Sequence, residues 1–346
     1  MRAKAPVSDI AGDAGVRSSG ATAPIPGLVT AFRIHADGSP ESLPVDQPIA
    51  LSHDGLLWLH FNLADVRALQ WLTSANLQVP PQAGSLLLSK DTYQHVHTLD
   101  RCVYGVISDL RREIGEATED TGHLRFIMTE QLLVSGRHHA LCAVDATRRA
   151  LEGGQRIESV AALFETIVEN VADTMDQVAD RVAHNLDELE EQVLADTATD
   201  LRQSLGRLRR TCVRLHRQLS GLRIIFHRLE QRSPGNLKPA LQFRAGKLAQ
   251  RLDDLDHTIV EMRERSRLLQ EELHLKIEEQ GNNNIRVLSI MTALLLPPTL
   301  VTGVFGMNIK GLPFTDFEAA FLGTALLMAL ASLVAYFLMK RIGVIR

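Results

Sequence analysis

Cysteine is scarce and scattered in this sequence. Its 346 residues include three, Cys102, Cys142 and Cys212, far apart and without a C-x-x-C pair. That excludes a disulfide-stapled scaffold and a zinc finger, and it suits a reducing compartment. Residues 1–27, rich in Ala, Gly, Ser and Pro, lack the apolar core of a signal peptide and read as a flexible leader. There is no G-x-G-x-x-G, no Walker A lysine loop and no nucleophile elbow, so no constellation for an enzyme is visible.

An excess of basic residues is missing too. From Arg286 onward there are five Lys/Arg against two Asp/Glu, which leaves 32 basic and 39 acidic residues in the first 285. The net charge of −4 is therefore the sum of an acidic body and a short basic tail. Nucleic acid is excluded as the main partner, because phosphate binding needs clustered Lys and Arg.

Charge disappears altogether in two stretches near the end, Val287–Phe305 and Ala319–Met339. Each has about 20 residues, the length a helix needs to cross roughly 30 Å of hydrocarbon. One such run would fit a buried soluble helix. Two in tandem, joined by a short polar loop and followed by Lys340 and Arg341, read as a hairpin in a lipid bilayer. The positive-inside rule puts both termini in the cytoplasm and leaves residues 306–318 as the outer loop. Neither span contains Asp, Glu, His, Lys or Arg, so an intramembrane proton relay of side chains is absent. Any proton coupling must use the ends: Asp316 and Glu318 outside, or Glu271, His274 and Glu278 inside.

The body divides near residue 155. In 28–155 the runs LVTAFRI, LLWLHF, CVYGVISDL, LRFIMTE and QLLVSG predict strands, and ADVRALQWLTSAN predicts a helix capped by aspartate. From residue 156 the pattern is helical: about Val160–Leu194, then about Asp200–Arg232, then a turn at Ser233–Asn236. A third helical run starts at Leu237, with Pro239 in its tolerated first turn, and reaches Leu296 before Pro297 and Pro298. Continued to Phe305 it would have about 69 residues and span about 100 Å. A helix so long needs neighbours, which implies self-association. The expected class is α+β: an α/β domain over 28–155, a helical stalk over 156–285 and a transmembrane hairpin over 286–346.

One face of the first span differs from the rest. At about 100° per residue, Asn282, Ile285, Ser289, Thr292, Leu296, Thr299 and Gly303 share a sector of about 100°. Weak hydroxyls in a stripe can hydrogen-bond the hydration shell of an ion without holding it tightly. Close helix packing would use the same small residues. The stripe continues downward through Glu278, His274 and Glu271, and further to Asp256 and Asp253. Several copies around an axis would make carboxylate rings that concentrate cations. The i, i+3, i+7 spacing of Glu271, His274 and Glu278 could also hold a metal such as Zn²⁺. A solvated face interrupted by Arg267 is the alternative. His138 and His139 read as surface or structural residues.

Gly306-Met307-Asn308 closes the first span. The whole segment NNNIRVLSIMTALLLPPTLVTGVFGMN resembles the membrane signature of the CorA family of divalent-cation transporters. With Gly311-Leu312-Pro313 and the early WLHFN, it is most similar to the ZntB-type zinc transporters. The resemblance implies a homopentamer with a cytoplasmic funnel and a pore formed by the first span. Asn308 would receive a hydrated cation at the outer mouth, and Asn282 would be an inner pore asparagine. Oxygen ligands and retained water suit a hard divalent ion. Lys310 departs from the pattern, since a ring of five lysines would repel cations unless Asp316 or Glu318 neutralises it. No regulatory metal site of the family is recognisable.

The sequence thus predicts a multi-pass transporter of the inner membrane, with no cofactor of its own. It would carry divalent cations, Zn²⁺ preferred and Mg²⁺, Co²⁺ and Ni²⁺ in view. Leu296, Leu288 or Ile285 would form apolar constrictions able to gate by dewetting. A Mg²⁺/Co²⁺ channel is one alternative. A membrane-anchored signalling or scaffold protein, with the long helices as coiled-coil spacers, is another.

Overall fold

The computed structural model describes residues 23–50, 55–75, 77–99, 101–113, 116–195, 201–231, 239–242, 244–307 and 320–343. The chain divides into two compact units, Met1–Ser266 and Arg267–Arg346. The leader of the sequence reading lies mostly outside the described residues, but Ile25 is already buried in the core.

The first unit is built on a seven-stranded sheet. Its strands are β1 (Leu28–Ile34), β2 (Pro40–Ser42), β3 (Leu56–Asn62), β4 (His95–Leu99), β5 (Cys102–Glu113), β6 (Glu116–Met128) and β7 (Leu132–Arg137). Their order is β2-β1-β3-β7-β6-β5-β4, and the β3–β7 pair is parallel. Central β3 is covered on both faces, which is why LLWLHF reads as a continuous apolar run rather than an alternating one. Leu57, Leu59 and Phe61 pack with Ala68 and Leu72 of α1 (Val66–Ser74) and with Ala83 and Leu87 of α2 (Pro81–Leu88). As predicted, Asp65 caps α1, accepting the Arg67 N–H at 2.9 Å.

The intervening side chains of β3 form a buried network. Trp58 Nε1 donates to Ser135 Oγ at 2.9 Å, His60 Nδ1 lies 2.8 Å from the same oxygen, and Arg137 Nε donates to His60 Nε2 at 3.1 Å. Arginine can only donate, so His60 is the neutral Nδ1–H tautomer. Burial, aided by the charge of Arg137, holds its pKa down to about 3. The WLHFN segment is thus a structural tie between β3 and β7.

Helices cover the other face of the sheet. The first, α3 (Cys142–Glu152), is not evident from sequence because Leu141 stands at its N-cap and offers no side-chain acceptor. Asp109 of β5 supplies the acceptor from a distance, taking the Ala143 N–H at 2.9 Å and the Leu110 N–H at 2.7 Å. Burial raises its pKa to about 7 against the pull of those donors. The next helix is α4 (Val160–Ala195), whose Phe164 meets Phe126 of β6 with ring centroids 4.3 Å apart. Then come α5 (Leu201–Gln231), a short 3-10 turn at Pro239–Leu241, and α6 (Ala245–Phe305).

The third helical run therefore starts eight residues later than its periodicity suggests. Gln242 N–H closes on Pro239 O at 3.2 Å, an i+3 rather than an i+4 bond, so Pro239 opens a tight turn. The expected turn at 233–236 lies outside the described residues. On α5 the buried residues Leu201, Leu205, Leu208, Cys212, Leu215, Leu219, Leu222 and Phe226 recur at alternating steps of four and three, the repeat of a coiled coil. Ion pairs give the directions. Glu169 and Asp173 of α4 meet Lys247 and Arg251 of α6 in the same order, so these two helices are parallel. Between α5 and α6 the order reverses: Asp253 meets His227, and Asp256 meets His216. All three cysteines are free and buried, and burial raises Cys102 to about 11 and Cys142 to about 12. Such thiols are inert.

Candidate functional site

The second unit holds the end of α6 and α7 (Ala320–Ile342). Both helices are long and apolar enough to cross a membrane, with mean hydropathies of 1.8 and 2.1 in their most apolar windows. One side of α6 here is partly covered: Ile290, Ala293, Leu294, Pro297, Pro298, Val301 and Phe305. On α7 the covered side carries Ala325, Met328, Ala331, Ser332 and Ala335, mostly small residues that let two backbones approach.

The helix continues through Pro297 and Pro298 to Phe305, although proline in a helix interior removes a donor and by propensity breaks or kinks it. A proline has no N–H, so Pro298 leaves the Leu294 carbonyl without its i+4 donor. Ser332 Oγ of α7 donates to that carbonyl at 3.2 Å. A hydroxyl from a neighbouring helix is the means by which a proline is tolerated in a membrane helix. Sequence reasoning missed Ser332, and the only available signal was the double proline itself.

The predicted stripe lies away from this covered side. Asn282, Ile285, Leu288, Ser289, Thr292, Leu296, Thr299 and Gly303 are all exposed, and a Cβ added at Gly303 would meet no atom within 4 Å. Around the helix the stripe sits about 150° from the α7-facing residues. Two of its hydroxyls are committed as donors to their own helix. Thr292 Oγ1 donates to Leu288 O and Thr299 Oγ1 to Leu296 O, both at 2.8 Å. Each then offers only oxygen lone pairs outward, which suits water molecules held by a cation.

The helix ends at Gly306, whose N–H donates to Thr302 O at 2.8 Å. A Cβ there would lie 2.8 Å from the same carbonyl, so glycine is needed for the close approach. Met307 follows and is exposed. Asn308, Lys310, Asp316 and Glu318 lie outside the described residues.

Below the span the acidic stripe is shorter than the sequence suggested. Glu278, His274 and Glu271 are exposed on the same line. Asp253 and Asp256 do not extend it, because both are drawn against α5. Asp256 is 4% exposed and takes His216 Nδ1 at 2.7 Å and Arg223 Nη1 at 2.8 Å, and Asp253 takes His227 Nε2 at 2.9 Å. The Glu271, His274 and Glu278 triad does not gather either. Glu271 pairs with Arg267, while His274 Nε2 lies 3.3 Å from Glu278 Oε1. Among the described residues no group of three or more His, Cys, Asp or Glu could hold a metal ion.

Known proteins resemble the chain along most of its length. It is 25% identical over 299 residues to "Zinc transport protein ZntB" of Cronobacter sakazakii, covering 84% of this chain and 87% of that one. The ZntB of Pectobacterium carotovorum is 23% identical over 308 residues, covering 88% and 92%. Among solved structures, full-length CmaX superposes with a TM-score of 0.76 at 25% identity, covering 91% of this chain and 97% of that one. The CorA magnesium transporter of Methanocaldococcus jannaschii gives 0.69 at 18%, covering 92% and 99%. The shared fold has an N-terminal α/β domain, long helices and two apolar C-terminal helices. The family profile described as "CorA-like Mg2+ transporter protein" matches residues 53–341, a transporter family and not an enzyme family. This chain belongs to the CorA-like Mg²⁺ transporter family.

Proposed function

We propose that this protein carries divalent metal cations, Zn²⁺ preferred, across the inner membrane through a pentameric pore lined by the stripe of α6. The observation that carries the reading is the exposed line of acceptor oxygens, Thr292 and Thr299, on a charge-free helix opposite its α7-facing side. The long apolar surface left uncovered in one chain, Leu288, Met291, Leu295 and Leu300 among it, supports burial in lipid and against further copies. In this arrangement the α/β domain and the helical stalk form a cytoplasmic funnel, and Lys340 and Arg341 hold both termini on that side. Asn308 receives the hydrated cation outside, and Asn282 passes it to a vestibule edged by Glu271 and Glu278. The zinc preference rests on the ZntB relatives. The family's description and the archaeal magnesium transporter favour Mg²⁺ and Co²⁺ as the second reading.

Flux of Zn²⁺, Mg²⁺, Co²⁺ and Ni²⁺ into proteoliposomes tests the proposal, with and without a pH gradient. Asn308→Ala is expected to lose flux while assembling normally, and Thr292→Val with Thr299→Val to lose at least about tenfold. Absence of flux for every ion would overturn the transporter reading. Unchanged flux in both variants would overturn the pore assignment.

A further inference from the structure

A cavity lies far along the chain from the stripe, within the first unit. It has a volume of about 810 Å³ and lies between α5 and the strands β4, β5 and β6. That is within the usual range of small-molecule sites, roughly 300–1,000 Å³. The cavity is a basic island in an acidic body. Arg214, Arg217 and Arg228 line it together with His95, His97 and His123, and among the described residues no carboxylate does. Arg214 contacts Asp120 at 3.4 Å, whereas Arg217 and Arg228 form no ion pair among the described residues. Burial, followed by the charges of Arg125 and Arg111, lowers the pKa of His123 against the opposing charge of Asp91.

Its floor is built rather than accidental. Gln94 clamps β5 to α5: its Nε2 donates to Gln218 O at 3.1 Å, and its Oε1 accepts the Ser108 N–H at 3.3 Å. Gly221 makes room for it, since a Cβ there would lie 2.4 Å from Gln94 Nε2. Two polar side chains on this floor are almost wholly buried yet incompletely paired. Ser108 is 1% exposed and Gln218 4%, and Ser108 Oγ and Gln218 Oε1 have no hydrogen-bond partner among the described residues. An orphaned buried acceptor costs about 1–3 kcal/mol, so a ligand that donates to it gains by entering. The wall adds Val96, Ile225 and Leu229 and a pair of stacked rings, Tyr93 and His95, with centroids 6.0 Å apart.

From these features we infer that the cavity binds a nucleoside phosphate. The phosphates would meet the guanidinium groups of Arg217 and Arg228, which match them in charge and fork geometry. The base would lie on the Tyr93 and His95 side, and a ribose or base N–H or O–H would satisfy Gln218 Oε1. This binding is separate from cation passage, and its test does not depend on transport.

The full-length protein in detergent, with EDTA present to exclude metal-mediated effects, is titrated with ADP, adenosine and inorganic phosphate by calorimetry. Saturable ADP binding is expected, with adenosine and phosphate each at least about tenfold weaker. The exposed pair Arg217→Ala and Arg228→Ala should weaken ADP at least about tenfold and leave the ligand-free circular dichroism and melting temperature unchanged. No saturable ADP binding at millimolar concentrations would overturn the inference. Equal affinity for phosphate or adenosine, or undiminished ADP binding in the double variant, would do so too.

Discussion

Replacing Ser332 by Ala removes the contact that pairs one of the carbonyls freed by the double proline. The hydroxyl donates to Leu294 O at 3.2 Å, the carbonyl that Pro298 leaves without a backbone donor. Hydrogen bonds between membrane helices are worth about 0.6 kcal/mol on average and about 1.7 at most, or roughly threefold to twentyfold in a docking equilibrium. For a chain of this size that is a fall of about 1–5 °C in the melting temperature. The informative comparison adds Pro298→Ala, which returns an N–H to position 298 and pairs Leu294 O within the helix. In that background Ser332→Ala should cost almost nothing. Four proteins, the wild type, the two single variants and the double variant, are melted in one detergent and followed by far-UV circular dichroism. Equal costs of Ser332→Ala in the two backgrounds would refute the reasoning, because the serine would then not be serving the carbonyl that proline frees.

Two buried groups make the first unit respond to pH in opposite senses. His60, held down to about 3, stays neutral when the unfolded histidine protonates, so it removes stability as pH falls from about 6.5 to about 3, about 1.4 kcal/mol per unit. Asp109, raised to about 7, keeps its proton when the unfolded aspartate has lost it, so it adds stability as pH falls from about 7 to about 4. The two slopes cancel between about pH 4 and 6.5; Asp109→Asn should expose the acid loss and His60→Gln the opposite slope. Melting temperatures across that window decide, and parallel profiles for the wild type and Asp109→Asn count against it. Phe164→Ala empties a site packed at 4.3 Å against Phe126 and should cost about 3–5 kcal/mol in chemical denaturation. A loss under about 1 kcal/mol would mean that α4 does not depend on this contact for its place on the sheet.

Local signals fixed much of the architecture in advance. The apolar run of β3, the aspartate cap of α1, the helical run of α5 and the charge-free spans each arise from a few neighbouring residues, and each is found where the pattern put it. The hydroxyl stripe was legible for the same reason, because helical spacing alone decides which residues share a face. What neighbours could not reveal was any partner distant in sequence. The helix α3 has no cap of its own and takes one from Asp109. Asp253 and Asp256 share the angular sector of the acidic stripe, yet α5 claims them with histidines and an arginine some 26 to 40 residues away. The double proline is a break by propensity and a passage in the fold, where Ser332 pairs Leu294 O from 38 residues away. At the basic cavity Gln94, just before β4, bonds Gln218 of α5, 124 residues away. Periodicity, caps and charge-free length are written along the chain, but the pairing of a buried polar group is set by which elements pack together, and that only the tertiary structure decides.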